Sequence, residues 1–223
     1  MVKPTLGIIG GGQLGSMMAA AAKKIKIRTV IFSDDIDSPA KNYSNNFIFG
    51  KYNDKKKINE FLKKVDLVTF EFENIPYKTL KKINKIKPVL PRPLVNKIVQ
   101  NRLSEKNFIN KINIKTTSYV SVKKKTKINK LKNYLPGILK TTELGYDGKG
   151  QYKINSYKEL KNLNIDFSNE YILEKLVKLK KEISIIITRF KTKKYEIYEP
   201  IENKHEDQIL KYSKIPANIN KKT

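Results

Sequence analysis

The chain has 223 residues, with 47 lysines and arginines against 21 acids, a formal net charge of +26, one histidine and no cysteine. The length suits one large domain or two small ones. Without cysteine there is no disulfide framework and no thiolate metal site, and a single histidine excludes a multi-histidine metal cluster.

No run approaches the roughly 18 apolar residues of a membrane span. The start, "MVKPTLGIIG", lacks the apolar length and basic lead-in of a signal peptide. A cytoplasmic protein with no membrane partner is expected. The charge does not point to nucleic acid. Only Arg28, Arg92, Arg102 and Arg189 are arginine, the residue that forks onto bases and phosphates. The lysines are spread along the whole chain and read as solvated surface.

In chain order, "TLGIIG" is a short apolar run ending in glycines, and "QLGSMMAAAAKKIKI" follows with helix formers and small residues. "RTVIFSDD" is a second apolar run closed by acids. Together they predict a parallel strand–helix–strand unit. "NNFIFGKY" is a third short run. "KKKINEFLKKV" places Ile58, Phe61, Leu62 and Val65 at helical spacing. "DLVTFEFENIP" predicts a strong strand stopped by Pro76, "YKTLKKINKI" a helix, and "KPVLPRP" a short strand broken by prolines. Residues 1–93 therefore read as a doubly wound α/β domain of the Rossmann type, bounded by "KPVLPRP".

Beyond it, "LVNKIVQNRLSEKNFINKI" predicts one helix with Val95, Ile98, Val99 and Leu103 on a single face. "TTSYVSV", "GILKTTELGYDGKGQYKI", "EYILEKLV", "EISIIITRF" and "KYEIYEPI" are β-rich, with "YKELKNL" an intervening helix. Residues 94–223 read as an α+β region with a glycine-rich loop between two strands.

Gly10-x-Gly12-x-x-Gly15 after the first strand has two readings. It can bring the backbone close to a phosphate at a helix N-terminus, with Asp34 and Asp35 completing a dinucleotide fingerprint. Equally, it can serve only a tight turn and close helix–strand packing. "LKTTELGYDGKGQ" sets Lys140 at a strand end before Gly145, Gly148 and Gly150. A hairpin needs turn glycines, but not Lys140 or the flanking Tyr146, Lys149 and Gln151, so phosphate binding is preferred. In "FEFENIP", Glu71 and Glu73 are expected on one face at the C-terminal end of a strand, where ligands sit in open sheets. Glu174 and Glu182 flank "KLVKLKK"; a strand-end carboxylate can accept from an exocyclic amine or from ribose hydroxyls. His205 clusters with Glu202 and Asn203.

Taken in order, "GIIGGGQLGSMM", "VTFEFENIP", "QNRLSEKNF", "ILKTTELGYDGKGQ", "ILEKLVKLKKEISIIITR" and "YEPIENKHEDQIL" resemble the ATP-grasp superfamily, and within it the 5-(carboxyamino)imidazole ribonucleotide synthase branch. The resemblance covers nearly the whole chain, and "GYDGKGQ" with "ENKHEDQIL" is its specific part. It implies a Rossmann-like pre-ATP-grasp domain over 1–93 and an incomplete ATP-grasp domain over 94–223. It also implies an ATP-dependent carbon–nitrogen ligase of purine biosynthesis. ATP phosphorylates bicarbonate to carboxyphosphate, and the amine of aminoimidazole ribonucleotide takes the carboxyl group.

By position, the resemblance makes Arg102 and Lys140 nucleotide contacts, with Lys140 on phosphate. It makes Gly145, Tyr146, Asp147, Gly148, Lys149, Gly150 and Gln151 the phosphate loop, with Tyr146, Asp147 and Lys149 as its catalytic members. Glu174, Lys175, Leu176 and Val177 would hold the adenine, partly by backbone. Glu182 would take the ribose hydroxyls, and His205 falls on a nucleotide-site position. A related ribonucleotide-using branch adds Gln13, Leu14, Glu71 and Glu73 as contacts to the substrate. Ser16 stands where the family commonly has arginine, and Glu143 lies in a stretch that is often basic.

The resemblance also implies a longer family sequence. It puts the acidic and asparagine ligands for Mg2+, and the basic residues for the substrate phosphate, beyond Thr223. The chain alone is accordingly expected to hold no metal ligands, to leave apolar sheet surface uncovered and to turn over little. A homodimer is implied for the full-length relative. Three rivals remain: a formate-dependent glycinamide ribonucleotide transformylase of the same superfamily, a nicotinamide-dependent oxidoreductase, and a non-catalytic nucleotide-binding remnant.

Overall fold

The computed structural model describes residues 3–145, 150–164, 168–191, 194–206 and 209–220. They form two compact units, one running to Ile114 and one beginning at Lys115.

The first unit is built on a parallel sheet. Its strands are β1 (Leu6–Ile9), β2 (Thr29–Ser33), β3 (Asn46–Phe49) and β4 (Leu67–Phe70), in the spatial order β3-β2-β1-β4. All five residues of β2 are buried, as a strand covered on both faces requires. The direction of winding reverses between β1 and β4. That reversal is where doubly wound sheets open a crevice beyond the carboxyl ends of their strands.

Helix α1 (Gln13–Lys24) returns from β1 and buries Gly15, Ala19 and Ala22. Helix α2 (Lys55–Leu62) is capped by Asp54, whose Oδ1 accepts from the Lys56 and Lys57 amides at 2.8 and 3.1 Å. Its apolar stripe, Ile58, Phe61 and Leu62, is buried as its spacing predicts, and Val65 follows it inward. Phe32 stacks against Phe61 with ring centroids 5.5 Å apart and meets Tyr52 edge-on at 5.7 Å. Helices α3 (Tyr77–Ile83), α4 (Pro93–Val99) and α5 (Arg102–Lys111) complete the unit.

Three expectations are corrected. The strand through "DLVTFEFENIP" stops at Phe70, because the backbone turns there to carry Glu71 across to β1. "KPVLPRP" forms no strand; Val89 makes an isolated parallel bridge to Val68, and prolines on either side prevent the ladder from growing. The single helix from Leu94 to Ile112 is two. The chain breaks at Gln100, and Asn101 caps α5, its Oδ1 accepting from the Ser104 amide at 3.0 Å. Val95 and Val99 are exposed, and the side of α4 that packs inward carries Pro93 and Asn96.

The second unit has an antiparallel sheet of β5 (Tyr119–Val122), β6 (Gly137–Thr141), β7 (Gln151–Ile154) and β8 (Tyr171–Lys175), in the order β5-β8-β6-β7. Helix α6 (Tyr157–Asn162) is capped by Ser156. Val122, Leu131, Leu139, Ile154, Leu160, Tyr171 and Leu173 form the core. Further along, β9 (Glu182–Ser184), β10 (Ile187–Lys191), β11 (Lys194–Ile197), β12 (Ile201–Glu206) and β13 (Ile209–Lys214) form two more sheets, β13-β12-β9 and β10-β11. Ile185, Ile186, Ile187, Phe190, Tyr195 and Ile197 all stand exposed here.

Phe61 is fully buried between α2 and the sheet. Phe61→Ala is expected to remove about 3–5 kcal/mol of stability. Urea unfolding of the two proteins measures this as a lower midpoint at unchanged slope.

Candidate functional site

The glycine turn after β1 and the residue after β4 meet across the switch-point crevice. The Glu71 amide donates to the Ile9 carbonyl at 3.0 Å, continuing the β1–β4 ladder by one step. The Glu71 side chain then folds back over the turn. Its Oε1 accepts from the Gly12 amide at 2.7 Å. Gly12 is the N-cap of α1 and offers no side-chain cap of its own. The carboxylate thus supplies both an acceptor for an otherwise unpaired helix N–H and a negative charge at the positive end of the helix dipole.

The approach is close enough to dictate glycine. Gly10 has φ +100, and a Cβ there would lie 2.8 Å from Glu71 Oε1. At Gly12 the same oxygen would be 3.2 Å away. The Gly12 amide, a group that a Rossmann turn can offer to a phosphate, is here bonded to the protein's own carboxylate.

The other parts of the dinucleotide fingerprint are also committed locally. The Asp35 carbonyl accepts from the Ser38 hydroxyl at 2.8 Å, and Asp35 Oδ1 accepts from the Asp37 amide at 2.9 Å. Asp34 lies against Tyr52, whose hydroxyl is pushed above its ordinary value, first by burial and then by the Asp34 carboxylate. Gln13 and Leu14 stand exposed on the first turn of α1, next to the Gly12–Glu71 contact. Glu73 does not share a strand face with Glu71. It is an exposed turn residue, because the strand ends before either carboxylate.

In the second unit Lys140 and Glu174 come together. Lys140 lies on β6 opposite Ile172 of β8, and Glu174 lies two register positions away on the same face, opposite Ile138. Lys140 Nζ is 3.0 Å from Glu174 Oε2, and Glu174 is only 8% exposed. A charge this buried is retained where it is paired. Lys140 also faces Gln151 across the β6–β7 pair. Gly150 adopts φ +69, and a Cβ there would meet the Thr141 side chain at 2.7 Å. Gly150 thus packs its backbone closely against Thr141, the residue next to Lys140. Tyr146, Asp147, Gly148 and Lys149 lie outside the described residues.

The segment after β8 is partly tied. The Lys175 amide donates to the Ser118 carbonyl, and the Lys175 carbonyl accepts from the Thr117 hydroxyl, both at 2.9 Å. The Leu176 amide donates to the Pro136 carbonyl at 2.8 Å. Val177 is 51% exposed.

Glu182 and His205 form the second pair. Asn203 of β12 stands opposite Glu182 of β9, and a bulge between Lys204 and His205 shifts the register, a device that re-aims side chains. His205 Nδ1 lies 3.0 Å from Glu182 Oε2. One strand position before Glu182, Lys181 makes a clamp that the sequence reading missed. Its Nζ donates to both Glu202 oxygens and to the Asn218 carbonyl, at 3.0, 2.9 and 2.7 Å. The Asn218 amide returns to Glu202 Oε2 at 3.1 Å. The Lys181 hydrogen bond, then that from Asn218, holds the Glu202 carboxyl below its ordinary value. The Asn203 side chain bridges the hydroxyls of Ser184 and Ser213 across the same sheet.

Arg102, the remaining nucleotide candidate, opens α5 in the first unit. Among the described residues no group of three histidines, aspartates or glutamates can hold a metal ion. No described helix is long and apolar enough to cross a membrane.

The family model of the ribonucleotide synthetase preATP-grasp domain matches residues 3–100, and that of the ATP-grasp domain matches residues 107–223. The chain belongs to the ATP-grasp family. Within it, the relatives it is similar to are N5-carboxyaminoimidazole ribonucleotide synthases. That of Staphylococcus aureus (strain COL) is 37% identical over 220 residues, covering 97% of this chain and 59% of the relative. That of Brucella melitensis is 37% identical over 224 residues, covering 98% and 62%.

Solved structures agree. The Staphylococcus aureus N5-carboxyaminoimidazole synthetase complexed with ADP superposes with a TM-score of 0.92 at 37% identity, covering 99% of this chain and 61% of that one. The Aspergillus clavatus synthase in complex with ADP and 5-aminoimidazole ribonucleotide shares the fold, with a TM-score of 0.82 at 23% identity over 99% of this chain and 59% of that one. The chain spans about three fifths of the length of these relatives.

Two outcomes follow. Gly10→Ala is expected to cost about 1–3 kcal/mol, from the strained φ and the displaced Glu71, read from denaturant unfolding. The Lys181–Glu202–Asn218 clamp has a pH dependence with a fixed sign. A carboxyl lowered in the folded state contributes stability at neutral pH that is lost as pH falls through its folded value. In an NMR titration the Asn218 amide is therefore expected to shift only below pH 4.5, the ordinary glutamate value.

Proposed function

We propose that this chain carries the ribonucleotide-facing and nucleotide-facing residues of an ATP-dependent carbon–nitrogen ligase that carboxylates 5-aminoimidazole ribonucleotide with bicarbonate. ATP is the phosphoryl donor. Bicarbonate becomes carboxyphosphate, the exocyclic amine takes its carboxyl group, and ADP and phosphate leave. The protein's contribution in such a reaction is mostly positioning and neutralisation of charge.

The observation that carries the reading is the Lys140–Glu174 pair between β6 and β8. A lysine fixed on a sheet by a buried carboxylate is a preorganised cation, suited to phosphate oxygens. Among the described residues the Leu176 carbonyl and the Val177 amide have no backbone partner, which leaves them for an adenine edge. Glu182, steadied by His205, suits a ribose diol. Arg102 adds a nucleotide contact. Tyr146, Asp147 and Lys149 act at the transferring phosphoryl group, within the loop from Gly145 to Gln151. On the first unit Gln13, Leu14 and Glu71 form one wall of the ribonucleotide pocket, with Glu73 at its margin.

The pre-ATP-grasp role falls to residues 1–93 and the ATP-grasp role to 94–223. Mg2+, a cytoplasmic location and a homodimer belong to the same reading. The formate-dependent transformylase is the second candidate, and "YDGKGQ" with "ENKHEDQIL" speaks against it.

Calorimetric titration of ADP into the chain and into Lys140→Ala tests the nucleotide role. Loss of a charge-assisted contact is expected to weaken ADP by about 10- to 100-fold; equal affinity would sink the assignment. Whatever ADP release a coupled assay detects is expected to require both bicarbonate and aminoimidazole ribonucleotide. Formate with glycinamide ribonucleotide should not replace them.

A further inference from the structure

Glu71 sits at the head of an irregular segment. Phe72 and Glu73 are exposed, and the next buried residue is Ile75. A carboxylate on an untied segment would sample many positions. Two amides from α4 tie this one. Asn96 is 1% exposed, and its Nδ2 donates to the Ile75 carbonyl at 3.0 Å. One helical turn later Gln100 Nε2 donates to the Glu73 carbonyl at 2.5 Å and to the Ile75 carbonyl at 2.7 Å. The four-residue spacing puts both amides on one side of the helix. Asn96 Oδ1 is buried without a hydrogen-bond partner among the described residues, an unfavourable state. The favourable contact of this side chain is therefore its donor to the segment.

We propose that Gln100, backed by Asn96, is a positioning residue: it fixes the Glu73–Ile75 segment and, through it, holds the Glu71 carboxylate on the glycine turn. The proposal rests on Glu71 as a ribonucleotide contact. To it the proposal adds a group outside the pocket that sets the pocket's affinity. Glu71 approaches Gly12 from the end of one strand, while its anchor comes from side chains at the C-terminal end of α4.

Hydrogen exchange at the Gly12 amide, which donates to Glu71, tests this in Gln100→Ala and Gln100→Glu. The glutamate variant keeps the size of the side chain and turns an acceptor toward two carbonyls, so it separates the donor from mere packing. Both variants are expected to raise Gly12 exchange about fivefold or more, Gln100→Glu at least as much as Gln100→Ala. The Leu6 amide, bonded to the Arg28 carbonyl at the other end of β1, is expected to keep its rate. Aminoimidazole ribonucleotide should bind both variants more weakly. Wild-type exchange at Gly12 in either variant, or an equal rise at Leu6, overturns the proposal. Faster Gly12 exchange with unchanged ribonucleotide affinity supports the positioning role and refutes instead the placing of the ribonucleotide at Glu71.

Discussion

The first unit depends on one contact, the Glu71 carboxylate on the Gly12 amide. A glycine turn between a parallel strand and a helix is an anion site by construction, since its amides are unpaired and the helix dipole favours negative charge. Something anionic must satisfy it. Here the anion is covalently part of the chain and comes from the strand on the far side of the switch point. The glycines are needed because Glu71 passes directly over them. The turn therefore keeps its sequence signature while its Gly12 amide is already bonded within the chain.

In the second unit carboxylates are held in pairs. Glu174 holds Lys140, His205 holds Glu182, and Lys181 holds Glu202 to Asn218. A side chain already restrained loses less entropy when a ligand arrives. Each of those pairs involves a carboxylate carried on a strand of the unit's sheets, so its position is set by the sheet register.

Much of the fold was legible because periodicity and capping are local. The buried stripe of α2, the run of β2 and the alternating strands of the second unit could be read from their own residues. What escaped depends on distant partners. The partner of the Gly12 amide is a residue 59 positions away, so "GIIGGGQLG" alone leaves both a dinucleotide and simple packing open. The strand after Leu67 looks longer than it is because Glu71 and Phe72 continue an alternating pattern; tertiary pairing with Gly12 ends it early. The break before α5 did leave a local signal, Asn101 followed by Ser104 and Glu105, a capping pattern hidden within a helical run. Asn96 and Gln100 left a fainter one: two amides spaced one turn apart in an apolar helix. Lys140, Glu174, Glu182 and His205 could be singled out, but that they meet in two pairs follows only from the β6–β8 and β9–β12 registers.

The central proposal is a division of labour: the opening glycine turn is closed by Glu71, and the nucleotide is taken chiefly by residues of the second unit. An NMR titration of the chain with ADP, following backbone amides residue by residue, tests it most directly. The account predicts shifts at Lys140, Gln151, Val177 and Glu182, with Gly10, Gly12 and Gly15 unmoved. Shifts centred on the glycine turn and the first turn of α1, with the second unit silent, would contradict it.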